Sequence, residues 1–371
     1  MIYFDNAATG GHKPDSVVNA TVTALKFCAN PGRSGHRLSL ACLERVYVCR
    51  KLVCDFLGGY SYERTVFTKN CTEALNIALL GVLKSGDEVV TTVAEHNSVL
   101  RPLEHLKSKG VKVKYAPLKD GRIDTDEIIK LVTPRTRAVV VTLASNVTGT
   151  APDIMAIKEK LPKETLLICD GAQACGHIPV NMEEWGIDVL ATAGHKGLLG
   201  IQGSSALLFS ERVDPQPVLF GGTGSESYKL DMPGFYPDRL ESGTLSYPAI
   251  VSLGEGVMYL REHMEAHTKK VTAMTEYIIK NLSEIEGVTL YSQPNPFGII
   301  SFSLKTMQSE MVAFRLSDEY SICVRGGLHC APLMHKALNS EGLVRASLSA
   351  FNTESECERF ISAIKAVSAV Q

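Results

Sequence analysis

The sequence lacks any excess of one charge sign: 38 Lys+Arg stand against 40 Asp+Glu, a formal balance of −2. That leaves no electrostatic footprint for nucleic acid or an anionic membrane surface, and neither is expected as a partner. Long hydrophobic runs are missing too. Nothing approaches the roughly 18 apolar residues of a membrane span, and the run 138–144 is of strand length. The opening Met-Ile-Tyr-Phe-Asp-Asn carries no basic segment, apolar core or cleavage site of a secretory leader, so a cytoplasmic location is expected. The ten cysteines are then expected as free thiols. No C-x-x-C pair occurs, and the neighbouring Cys169, Cys175 and His177 lack the spacing of a structural zinc site. Two nucleotide loops are absent as well, G-x-G-x-x-G and G-x-x-x-x-G-K-[ST]; Gly221-Gly222-Thr223-Gly224 reads as a turn.

What is present is ordinary globular composition, 45% apolar and 21% charged over 371 residues, which suits two domains. Between 64 and 209, short apolar runs (65–68, 88–93, 111–115, 137–143, 165–170, 189–192, 205–209) alternate with amphipathic stretches (72–84, 98–109, 125–131, 153–160). This alternation predicts an α/β domain with a large, doubly wound, mostly parallel sheet. The tail differs. It predicts one long helix or two over 249–282, strands at 288–291, 299–304, 321–324 and 344–348, and helices at 309–319 and 353–370. That is a smaller α+β unit. Gly and Pro interrupt the pattern at 243–248, so the expected division is 12–247 for the large domain and 1–11 with 248–371 for the small one.

Asp170 and Lys196 each follow an apolar strand, at the edge where open α/β sheets bind ligands. A carboxylate and an amine at neighbouring strand ends suit pyridoxal 5'-phosphate, which needs an amine for its aldehyde and an acid for its ring nitrogen. A partly buried salt bridge accounts for the same spacing. Asn70-Cys71-Thr72-Glu73 opens a helix directly after a strand, either a phosphate cradle or a plain N-cap. His96, also past a strand, can stack on a planar ring.

Further motifs occur in a fixed order: Asp5-Asn6-Ala7-Ala8-Thr9, Thr72-Glu73-Ala74, Glu95-His96, Ser145-Asn146-Val147-Thr148-Gly149, Asp170-Gly171-Ala172-Gln173 and Gly194-His195-Lys196. Glu241-Ser242-Gly243-Thr244, Val324-Arg325-Gly326-Gly327-Leu328-His329-Cys330-Ala331 and Arg345-Ala346-Ser347-Leu348 follow. The set resembles the class V aminotransferase family of fold-type I pyridoxal-phosphate enzymes. Within it, the chain is most similar to the SufS-type cysteine desulfurases, which include selenocysteine-lyase-like members.

The resemblance implies Lys196 as the Schiff-base lysine and proton shuttle, Asp170 as the ring-nitrogen partner and His96 as the stacking histidine. It implies Gln173 and Asn146 near the phenolic oxygen, Thr72 and His195 as phosphate ligands, and Arg345 as the clamp on the substrate carboxylate. Thr244 matches a phosphate ligand given by a second subunit, hence a homodimer with shared sites. His36 and Arg33 match a segment at the active-site entrance, which implies a substrate-binding role for His36, although a solvated loop explains them equally. Two departures stand out: Ala193 replaces a frequent phosphate-binding serine, with Thr192 facing the other way, and Cys71 stands where a second hydroxyl is frequent.

Cys330 follows Arg325, two glycines and His329. On its own it reads as readily as a buried, inert cysteine. The resemblance makes it the nucleophile, with Arg325 and His329 as two nearby cations favouring its thiolate. The implied reaction turns L-cysteine (or selenocysteine) into alanine with a persulfide on Cys330. That sulfur passes to an acceptor protein, as in sulfur mobilisation for iron–sulfur cluster assembly. A selenocysteine lyase, a C–S β-lyase, another class V enzyme and a catalytically silent scaffold are the alternatives. His263 and His267 read as a solvated helix face, and Cys28, Cys42, Cys49, Cys54, Cys323 and Cys357 as packing residues.

Overall fold

The computed structural model of the chain describes residues 1–369. Its first elements are a short strand β1 (Ile2–Tyr3) and two helices, α1 (Asp15–Lys26) and α2 (Arg37–Phe56). No helix is expected here from the sequence, and of the two only α1 carries a clear amphipathic period. Along α2, Cys42, Val46, Cys49 and Val53 are buried while Leu40, Leu43 and Tyr47 are exposed. Apolar residues on both sides blur the period by which an amphipathic helix is recognised.

The expected alternation follows: β2 (Thr65–Thr68), α3 (Cys71–Leu80), β3 (Glu88–Thr92), α4 (Asn97–Ser108) and β4 (Lys112–Ala116). A hairpin of β5 (Leu118–Lys119) and β6 (Arg122–Ile123) leads into α5 (Thr125–Ile129), β7 (Thr136–Thr142), α6 (Ile154–Lys160), β8 (Leu166–Asp170), β9 (Val189–Ala191) and β10 (Ser205–Phe209). Seven of these strands form one sheet in the order β2-β10-β9-β8-β7-β3-β4. From β9 to β4 the pairs are parallel, and β10 runs antiparallel to both β9 and β2. Successive residues point to opposite faces. Val139, Val141, Leu167 and Cys169 join one core, while Ala138, Val140, Leu166 and Ile168 join the other. A sheet covered on both sides therefore reads as continuous apolar runs, as expected.

The tail begins with a single helix, α7 (Tyr247–Ser283), of 37 residues. Its first half places Ile250, Leu253, Val257 and Leu260 in the main core, and its second half places Val271, Met274, Ile278 and Leu282 in a separate one. There follow β11 (Val288–Leu290), β12 (Ile299–Leu304), α8 (Ser309–Tyr320), β13 (Ile322–Cys323), β14 (Arg325–Gly327), α9 (Pro332–Ala337), β15 (Leu343–Ser347) and α10 (Glu354–Ser368). The expected strand at 321–324 is instead a left-handed Ser321 ending α8, then β13 and β14. Residue 370, in the expected last helix, lies outside the described residues. The sheet β11-β12-β15-β14 is antiparallel and sets Arg325 directly opposite Arg345. β1 lies parallel to β13, and Asp5 bridges to Ser347, so the N-terminal residues join the tail. Among the described residues, no helix is long and apolar enough to cross a membrane.

Candidate active site

The chemistry-bearing residues leave the carboxyl ends of the parallel strands, where crossover loops open a crevice. Asp170 ends β8, His96 follows β3, Asn146 follows β7, and the turn after β9 carries His195 and Lys196. That turn depends on glycine at 194: a Cβ there would lie 2.4 Å from the Ser204 hydroxyl and 2.6 Å from its carbonyl oxygen. With Cys71, Thr72, Gln173 and Arg345, these side chains line one cavity of about 230 Å³.

The donor pattern inside is specific. Asp170 is 3% exposed, and its Oδ1 accepts the Ala172 amide at 2.9 Å and the Cys71 thiol at 3.4 Å. Burial lowers the pKa of Lys196, against the pull of Asp170. His96 caps α4: its Nδ1 accepts the Ser98 amide at 3.0 Å, which puts its proton on Nε2. Burial holds this imidazole, against the pull of Asp170, at about 4, so at neutral pH it is an uncharged flat ring. His195 is likewise held at about 4 by burial, with Nδ1 3.0 Å from the Thr9 hydroxyl. Arg345 is 1% exposed. It pairs with Asp5 at 3.0 Å and donates to the Asn146 carbonyl at 2.9 Å, while its Nε is buried without a partner among the described residues. The Asn146 amide donates to the His329 carbonyl at 2.8 Å, and that of Gln173 to the Ala7 carbonyl at 3.1 Å.

These groups fit pyridoxal 5'-phosphate. The start of α3 is capped by Asn70, whose Oδ1 accepts the Glu73 amide at 2.9 Å, and it presents Thr72 and the first-turn amides to an anion. Asp170, the neutral His96 ring and the Lys196 amine share the same cavity. Thr192 does not make good the loss of a serine at 193. Its hydroxyl donates to the Ala206 carbonyl at 3.0 Å and accepts the Ala206 amide at 2.9 Å, which holds it in the sheet.

Cys330 is exposed in a neighbouring recess that shares Thr72, His96 and Ser98 with the cavity. It is not a buried, inert cysteine. Both His329 and Cys330 adopt left-handed backbone (φ 49° and 58°), and the Cys330 carbonyl accepts the Asn97 amide at 2.7 Å. Arg325 stands 3.7 Å from the sulfur. The expectation of a second cation fails. His329 is 2% exposed, bonds the Leu343 carbonyl at 3.0 Å and is pushed down to about 2 by burial, so it is neutral.

Two expected site residues lie elsewhere in this chain. Thr244 is exposed outside the cavity, and His36 is an exposed N-cap of α2 whose Nδ1 accepts the Ser39 amide at 3.2 Å. Arg33 donates to the Gly222 and Gly243 carbonyls, at 3.0 and 3.1 Å. Cys28 is exposed and Cys323 half-buried, so neither is a core residue. His263 and His267 are half-buried, the first stacked on Tyr259 at 4.0 Å and the second edge-on to Phe351. Among the described residues no group of His, Cys, Asp and Glu could hold a metal ion. Sequence reasoning gave no role to Asp5, the partner of Arg345; its place at the head of the first motif was the available signal.

These environments set a pH dependence. His96, His177 and His195, held at about 4, and His329 at about 2, stay neutral while an unfolded chain protonates below about 6.5. Their contribution is complete above that value and is lost as pH falls towards 4, by at most about 1.4 kcal/mol per histidine per pH unit. Glu95 is pushed up to about 8 by burial, with Asp170 adding to the shift. Its proton is held below 8, so its contribution is present at pH 4.5 and lost as pH rises to 8. Thermal unfolding of the cofactor-free protein between pH 4.5 and 8 is expected to show greatest stability at pH 6–7. A monotonic rise up to pH 8 would contradict this assignment.

The class-V aminotransferase family model matches residues 2–360. Proteins of Methanothermobacter thermautotrophicus and Pyrococcus abyssi, each described as a probable cysteine desulfurase, are 35% and 32% identical. The alignments cover 96% and 98% of this chain and 92% and 94% of those proteins. A cysteine desulfurase from Thermococcus onnurineus superposes with a TM-score of 0.90 at 33% identity, over 99% of this chain and 94% of that one. The CsdA cysteine desulfurase of Escherichia coli gives 0.88 at 26%, over 98% and 94%. With a family match along nearly its whole length and an α/β architecture to suit, the chain belongs to the class V aminotransferases, a family of pyridoxal-phosphate enzymes.

Proposed function

We propose that the chain is a cysteine desulfurase that uses pyridoxal 5'-phosphate, converting L-cysteine to L-alanine with a persulfide on Cys330. The observation that carries this reading is an exposed thiol beside the guanidinium of Arg325, a residue that lines the same cavity as Lys196 and Asp170. A transaminase has no use for that thiol.

When bound, the cofactor supplies an electron sink for charge developing at the substrate Cα. Thr72, His195 and the first amides of α3 would hold its phosphate, and Gln173 and Asn146 would serve its phenolic oxygen. Asp170 would pair with the ring nitrogen, and His96 would stack on the ring. Arg345 receives the substrate carboxylate on a guanidinium already oriented by Asp5 and Asn146. Lys196 anchors the cofactor and takes the Cα proton on Nζ, a task helped by its lowered pKa. The Cys330 thiolate attacks the substrate sulfur, the C–S bond breaks, and the Cβ carbon gains a proton. Cysteine plus thiol thus gives alanine plus persulfide with no outside oxidant, and an acceptor protein takes the terminal sulfur from the exposed position.

Thr244 acts at the partner site of a homodimer in this reading, which accounts for its place outside the cavity of its own chain. Residues 12–247 form the cofactor domain, and 1–11 with 248–369 the smaller one, with α7 shared between their cores.

The test is product analysis with L-cysteine and a reducing thiol. Native protein is expected to give alanine and sulfide in equal amounts, and Cys330→Ala to lose about 10²-fold or more in alanine release. Pyruvate and ammonia in place of alanine, undiminished in Cys330→Ala, would mean a β-lyase.

A further inference from the structure

We propose that Cys71 is a positioning residue for Asp170: its thiol and the Ala172 amide together hold one carboxylate oxygen, so that the other is presented to the cavity for a ring nitrogen. This rests on reading the cavity as a pyridoxal-phosphate site. Cys71 opens α3 and is 8% exposed, with its sulfur 3.4 Å from Asp170 Oδ1. The Ala172 amide reaches the same oxygen at 2.9 Å. Oδ2 accepts no hydrogen bond among the described residues, yet it is not one of the buried polar atoms left without a partner. It is therefore open to the cavity that Asp170 lines.

The terminal torsion of an aspartate is broad, so a carboxylate held by a single donor rocks between orientations. Two donors on one oxygen remove that freedom before any ligand arrives, which is the sense in which a site is preorganised. Burial also pushes the Cys71 thiol well above its ordinary range, Asp170 adding to the effect, so the sulfur keeps its proton and remains a donor. The helix start thus serves two ends of the ligand: Thr72 and the free amides face the phosphate, and Cys71 turns back to the acid that faces the ring.

The competing role is that of the hydroxyl often found at this position, a phosphate ligand. The two roles differ in which part of the cofactor feels a substitution. Equilibrium binding of pyridoxal 5'-phosphate and of pyridoxal, which has no phosphate, to cofactor-free native protein, Cys71→Ala and Cys71→Ser separates them, with thermal unfolding of each protein recorded alongside. Cys71→Ala is expected to weaken both ligands alike, by about fivefold, and Cys71→Ser to bring both within about twofold of native, because a hydroxyl can donate to the same oxygen. Loss for pyridoxal 5'-phosphate alone would make Cys71 a phosphate ligand. Equal losses in the Ala and Ser variants would reduce it to packing, and unchanged binding in both would remove it from the site; each result overturns the proposal. Failure of the native protein to bind either compound would overturn the cofactor reading itself, and this proposal with it.

Discussion

Lys196→Ala is expected to release alanine from L-cysteine at least about 10³-fold more slowly than the native protein, while folding at least as well. The first half follows from the two tasks assigned to one amine. Without it, the cofactor has no covalent anchor and the Cα proton loses the base assigned to it. The second half follows from burial. A group whose pKa is lowered chiefly by desolvation is held at a cost, and removing it relieves that cost. The measurements are steady-state alanine release and thermal unfolding of the cofactor-free proteins, with borohydride treatment beside them. Borohydride should fix a cofactor-derived mass on the Lys196 peptide of the native protein and on no peptide of the variant. Activity within tenfold of native would place the base elsewhere.

Glu241→Ala is expected to cost about 3–5 kcal/mol of stability, the scale for breaking a buried ion pair from one side. Glu241 receives both arms of the Arg50 guanidinium, at 2.6 and 2.8 Å, and the Phe67 amide at 2.6 Å. Both side chains of the pair are under 8% exposed. Removing the carboxylate strands a buried guanidinium and an amide at the edge of β2. It also frees the segment that ends in Thr244, three residues on. Replacing both partners, as Arg50→Met with Glu241→Met, is expected to recover most of the loss, because the stranded charge goes too. Urea unfolding of the two single variants and the double one measures this. A single variant within about 1 kcal/mol of native would show that the pair is not buried in solution.

The sheet was legible because nearly every residue of its strands is buried, and uninterrupted apolar runs survive any error of a residue at their ends. That the tail opens with one long helix rather than two was not. Gly254 and Gly256 look like breaks in the pattern, yet they sit where helix and neighbour nearly touch: a Cβ at 254 would lie 2.5 Å from the Cys49 sulfur, and at 256 2.2 Å from the Leu198 carbonyl oxygen. These glycines permit close packing rather than end the helix. At the site, Asp170 and Lys196 were readable since each directly ends or follows a strand. The charge of His329 was not, because its neutrality comes from burial against β15, a strand that sequence order alone does not place beside it. The same holds for Asp5, whose partner lies 340 positions away.

Arg325 and Arg345 face each other across β14 and β15. Like charges so placed repel by about 0.2–1 kcal/mol, and Asp5 offsets part of this. In the proposed reading, the cation that would receive a carboxylate and the one beside the proposed nucleophile stand on neighbouring strands of one sheet, so a tilt of that sheet would carry both together.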